Sequence, residues 1–190
     1  MAMHTQLSRR NLLMAGAPAA MILALAFTLP GNSIANRSFS EQTGPHGYVV
    51  VSVLRGGQEI YHSEDHNLIT NGGKDFISAQ IGSTTPGSNG ANYIALTTDS
   101  TAPAATDTTL ASEITTNGLA RAQGTYAHTA GTNTFTVSKT FTASGTFTAV
   151  QKAGLFTASS SGTMLAETTF SSVNLNSGDT LTITWTITLT

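Results

Sequence analysis

A chain of 190 residues, 9% of them charged and with a formal charge of -2, has the length of one domain plus a leader. So few charges weaken the case for nucleic acid, whose phosphates need clustered Lys and Arg, so no nucleic-acid partner is expected, and the low net charge argues against intrinsic disorder. There is no cysteine, so disulfides, thiolate catalysis and cysteine-ligated zinc are excluded.

Residues 1–35 have the anatomy of a signal peptide. Arg9 and Arg10 precede an apolar run from Leu12 to Leu29, and Ser33-Ile34-Ala35 supplies the small residues that predict cleavage after Ala35. Ser8-Arg9-Arg10-Asn11-Leu12-Leu13 is also similar to the twin-arginine export motif without its usual Phe and Lys, so Sec and twin-arginine export both stay open. The apolar run sits at the lower end of what spans a bilayer, which favours cleavage over retention as an anchor. The expected location is therefore extracellular, with membrane contact only during export.

Residues 36–47 form a polar N-terminal extension containing Gly44-Pro45-His46-Gly47. Tyr48-Val49-Val50-Val51-Ser52-Val53-Leu54 follows, apolar on both faces, which predicts a strand buried on both sides. Arg55-Gly56-Gly57-Gln58 reads as a hairpin turn into Glu59–His62. Phe76, Ile77, Gln80 and Ile81 have helical spacing, and Gly82 supplies a stop, so one short helix is expected there. From Asn92 onward, alternation predicts strands at Asn92–Thr98, Leu119–Tyr126, Thr134–Ala143, Thr146–Gln151, Thr163–Phe170 and Thr180–Thr190. In the last of these, Leu181, Ile183, Trp185, Ile187 and Leu189 share one face and threonines the other. Short strands separated by Gly, Asn and Ser clusters indicate a mainly β fold over residues 48–190, an antiparallel sandwich or jelly roll.

Several stretches carry a family resemblance. Asn67-Leu68-Ile69-Thr70-Asn71-Gly72-Gly73-Lys74-Asp75-Phe76-Ile77, Asn92–Thr98 continuing through Thr101–Leu110, Ala153-Gly154-Leu155-Phe156 and the closing Leu-Thr-Ile-Thr-Trp-Thr-Ile-Thr occur in order. Together they resemble a group of phage tail-associated structural proteins. With its leader, the chain also resembles secreted filament subunits of the archaeal bundling-pilus and biofilm-fibre type. Both resemblances imply a self-associating structural β-domain, and the second implies that a segment of one subunit completes the sheet of the next.

The chemistry-bearing residues are sparse. His62 and His66 are spaced as a metal pair only on a helix, so their segment reads as a solvated polar turn. Asp99, Asp107 and Glu113 are candidate oxygen ligands for calcium, weighed against turn chemistry, which their wide spacing favours. No nucleophile elbow, phosphate-binding loop or metalloprotease motif occurs, so no catalytic residue or organic cofactor is expected. Lys139 shares a strand face with Phe135, Val137 and Phe141, an inward cation that either defends an edge strand or enters a Lys–Asn isopeptide bond. Such a bond would leave the protein one ammonia lighter.

The function expected from sequence is a secreted, pilus-like filament subunit that polymerises head to tail with copies of itself by strand exchange. The exchanged piece is expected in the N-terminal extension, with Tyr48, Val49, Val50, Val51, Val53 and Leu54 as polymerisation residues. A virion or tail-like component is the alternative reading. A carbohydrate-binding module is the third, weakened by a lone Trp in an apolar row.

Overall fold

Alternating side chains make one-sided strands, and one-sided strands must pair their apolar faces. The computed structural model describes residues 44–87 and 89–190, and the leader and most of the extension lie outside them. In chain order the elements are β1 (His46–Arg55), β2 (Gln58–His66), β3 (Leu68–Ile69), α1 (Asn71–Gly82), β4 (Tyr93–Thr97), β5 (Ala122–Gln123), β6 (Thr125–His128), β7 (Thr134–Thr142), β8 (Phe147–Phe156), β9 (Met164–Leu175) and β10 (Thr180–Thr188). They form two five-stranded antiparallel sheets, ordered β2-β1-β10-β7-β6 and β3-β9-β8-β4-β5. The expected mainly β architecture with one short helix is the fold observed.

The closing strand β10 lies at the centre of the first sheet, between β1 and β7. Leu181, Ile183, Trp185 and Ile187 are fully buried. Its threonines face outward and cross-link the strands through hydroxyl pairs, Ser138 with Thr184 and Thr140 with Thr182, each at 2.8 Å. Leu189 leaves the row. The strand ends at Thr188, and Leu189 is 43% exposed.

β1 differs from its sequence reading. Only Val49, Val51 and Val53 are buried, whereas Tyr48, Val50 and Leu54 are half-buried on the outer face. β1 is flanked by β2 and by β10, so this chain fills both its hydrogen-bonding edges, and the strand already begins at His46 within the expected extension. Residues Leu119–Tyr126 are also not one strand. The chain passes from β5 in one sheet to β6 in the other at Gly124, where a Cβ would lie 2.8 Å from Val137 Cγ1 and 2.9 Å from the Ser138 carbonyl oxygen. That close approach requires glycine and marks the break. His62 and His66 stand with Glu64 on the exposed face of β2, in a strand rather than a turn.

The second sheet is covered on both faces. Its inner face meets the first sheet in the main core, with Ile94, Leu96, Leu155 and Leu165 buried. Its outer face lies under residues 98–118, whose Leu110 joins Ala95, Phe156 and Met164 in a smaller apolar cluster. Gly154 makes this cover fit, since a Cβ there would stand 2.8 Å from the Phe156 ring and 3.0 Å from Leu110 Cδ1.

Candidate functional site

Two places stand out, one apolar and open, the other charged and buried. The open one is a groove of about 490 Å³ between α1 and the β6–β7 hairpin. Thr70 starts α1 by accepting a hydrogen bond from the Gly73 amide at 2.9 Å, while its hydroxyl donates to the Met164 carbonyl and pins the helix to β9. The helix then presents Phe76, Ile77 and Ile81 to the groove. The opposite wall is Tyr126 against Phe135, ring centroids 5.7 Å apart, with Leu189 also in the lining. Ile81 is 79% exposed and Tyr126 58%, so large apolar side chains converge in water at one end of the domain. β6 is short, and among the described residues it pairs only with β7, so its outer edge offers free backbone groups.

The N-terminal segment enters the domain at the same place. The Thr190 hydroxyl donates to the Gly44 carbonyl at 2.9 Å, next to Leu189 in the groove wall. Tyr48–Leu54 sits inside the domain as part of β1, and residues 36–43 of the expected extension lie outside the described residues.

The buried site lies beneath residues 98–118 on the outer face of the second sheet. Lys152, on β8, is buried, with Nζ 3.0 Å from Asp99 Oδ2 and 3.6 Å from Glu167 Oε2. Glu167, on β9, is buried too, and its Oε1 accepts from the Ala104 amide at 3.0 Å. Burial, followed by the hydrogen bond with Asp107, pushes the Glu167 carboxyl up to about 7. Asp107 is held below the usual aspartate range by that same bond and by the Ala104 amide. The hydrogen bond from Lys152, with that from Thr101, holds Asp99 low.

The three carboxylates picked as calcium ligands do not converge. Asp99 pairs with Lys152, Asp107 bonds Ala104 and Glu167, and Glu113 pairs with Arg121, whose guanidinium lies 3.6 Å over the Phe156 ring. Each pairs with a cation or an amide, and no cluster of three metal-ligating side chains occurs among the described residues. Lys139 is half-buried opposite Ile183, just beyond the point where β6 stops covering β7. Among the described residues it has no ion-pair partner. Trp185 is fully buried and offers no face to a sugar. Sequence reading missed Lys152 and Glu167, although each is a lone charge inside an apolar run, Val150–Phe156 and Met164–Ala166 with its continuation.

No curated protein and no solved structure gives a significant match. The model of one family, described as podophage GP4 fiber I protein gp80, matches residues 69–188, from the end of β3 through β10 and thus well over half of the chain. The β1–β2 hairpin precedes the matched stretch. On that match, the chain belongs to the podophage GP4 fiber I protein gp80 family of structural proteins.

Proposed function

We propose that this protein is a non-enzymatic structural subunit of a phage fibre, joined to its neighbours through the apolar groove. The occupant of the groove is the N-terminal segment of the next copy, residues 36–43, anchored by Phe39, the large apolar side chain of that segment. One observation carries the reading: the segment leaves the domain at Gly44, beside the groove's Leu189, so residues 36–43 are within reach of the groove of a copy that meets this end of the domain. Insertion of Phe39 contributes about 2 kcal/mol by area. Backbone bonds along the free edge of β6 add to it, the β-augmentation mode. Passing each segment on to the next copy leaves one segment and one groove open at the ends and generates fibres, whereas a reciprocal exchange would close as a dimer. β1 is satisfied within its own chain, so the segment before it, rather than Tyr48–Leu54, is the exchanged piece.

The test is removal of residues 36–43 from the mature protein. Long assemblies from the intact chain and folded monomers from the deletion support the reading, while unchanged assembly in the deletion contradicts it.

The family match favours a virion component over a pilus. The leader pattern of residues 1–35 supports a second reading, an exported filament at the cell surface. N-terminal sequencing decides between them: a chain starting at Asn36 supports export, and an intact leader on assembled fibres supports the virion.

A further inference from the structure

Among the described lysines only Lys152 is buried, and it is buried against carboxylates rather than in water's reach. Its side chain is 3% exposed, that of Glu167 1% and that of Asp99 20%. A permanent ion group in such a place is expensive, because the attraction within the pair must offset the loss of hydration of each member. A neutral amide in the same place carries no such penalty.

The surroundings fix the partners for that chemistry. Thr97, at the end of β4, is paired directly with Lys152, and its hydroxyl accepts from the Asp99 amide at 3.0 Å. The same hydroxyl donates to the carbonyls of Ala111 and Ser112, so the covering segment and Asp99 are held in one register. The Thr101 hydroxyl donates to Asp99 Oδ1 at 2.9 Å, leaving Oδ2 against Lys152 Nζ at 3.0 Å. Nζ is thus in hydrogen-bond contact with the carboxyl it would attack, and a hydroxyl donor is already on the oxygen that would gather charge. Glu167 Oε1 is tied to the Ala104 amide, which turns Oε2 toward Nζ.

We propose that Lys152 and Asp99 condense into an intramolecular isopeptide bond, with Glu167 carrying the proton between the amine and the departing oxygen. The ammonium first gives up a proton, and the freed Nζ electron pair attacks Asp99 Cγ. A C–N bond forms, and the bond from Cγ to Oδ2 breaks. Oδ2 leaves with two of the three ammonium protons as one water, so ammonium plus carboxylate becomes amide plus water with no other reactant. A Glu167 carboxyl that titrates near neutrality both takes and returns a proton under ordinary conditions. The product ties the end of β4 to β8 across the second sheet, in a chain with no cysteine for a disulfide.

Tryptic mapping of the denatured full chain tests the bond. Lys and Arg flank the segments Asp75–Arg121 and Thr140–Lys152. The bond predicts Asp75–Arg121 joined to Thr140–Thr190, uncut after Lys152 and one water lighter than the two together. Glu167→Gln is expected to reduce the joined species at least tenfold, with folding checked by circular dichroism. Asp99→Asn is expected to restore a joined species that is one ammonia lighter. Separate peptides cut after Lys152 in the unsubstituted protein overturn the proposal. So does a linear Asp75–Arg121 lacking one water, which is a succinimide. Undiminished joining in Glu167→Gln overturns the part given to Glu167.

Discussion

The Thr190 hydroxyl donates to the Gly44 carbonyl, so the two ends of the described chain meet at 2.9 Å beside the groove. The chain that precedes Gly44 is thereby attached beside the apolar groove. If the groove is the joint, changing its most exposed side chain should affect assembly and not folding. Ile81→Asp, at a position 79% exposed, is expected to leave stability within about 0.5 kcal/mol. The fraction assembled, measured by sedimentation, is expected to fall at least tenfold.

Arg55 clamps Asp179 with two nitrogens, Nε at 3.0 Å from Oδ1 and Nη2 at 2.7 Å from Oδ2. Asp179 is buried and also accepts from the Asn176 amide at 2.7 Å, so it fixes the turn that starts β10. Asp179→Ala removes all three bonds and is expected to cost about 2 kcal/mol, discounted because the guanidinium is half-exposed. Urea unfolding checks it.

The buried carboxyl predicts a fall in stability toward neutral pH. Glu167 is raised in the folded state from an ordinary 4.5 to about 7. The folded protein therefore holds a proton that the unfolded chain releases. Stability from this group is complete below about pH 4.5 and is lost as pH rises through about 7, by about 3 kcal/mol at most. Asp107 and Asp179, and Asp99 while it is unlinked, run the other way, since their lowered values stabilise above the ordinary aspartate range and fail in acid. Formation of the Lys152–Asp99 amide removes a cation that lowers Glu167, so the direction holds with or without the bond. Thermal midpoints across pH 4–8 are expected to decline toward pH 8, and Glu167→Gln is expected to flatten that decline.

Gly154 lets residues 98–118 lie down on the second sheet. Gly154→Val would drive methyls into Leu110 and Phe156, at an expected cost of about 2 kcal/mol. Proteolysis should show where the strain goes: the cleavage rate within residues 98–118 is expected to rise more than that of the β1–β2 hairpin.

Period-two alternation made β7 and β10 legible in the sequence, because one face of each meets the core and the other is more exposed, while β1 was legible as an apolar run. β8 and β9 were read too short. From Lys152 onward β8 is covered on both faces, so alternation fades there, and β9 is interrupted after Phe170 by the exposed Ser171-Ser172, where its register with β8 shifts before it runs on to Leu175. The strand reading that stopped at Gln151 left Lys152 outside any element and therefore outside the search for buried charge. Lys139 looked inward by parity, but parity does not say where the neighbouring strand ends. The groove was not legible at all. It is assembled from α1, the β6–β7 hairpin and Leu189, which only the tertiary fold brings together. Gly124, by contrast, was a visible interruption of an alternating run and marks the crossing between sheets.

The most direct measurement of the joint uses the absence of native cysteine. One preparation carries Phe39→Cys, a second carries Ile81→Cys, and the two are mixed under mild oxidation and run on a non-reducing gel. A disulfide forms only when the two Cα atoms come within about 7 Å. The account predicts a mixed dimer of one copy of each variant, formed at least tenfold faster than either self-dimer. Mixed dimers no more abundant than the two self-dimers would contradict it, because Phe39 of one copy would then not be entering the groove of the next.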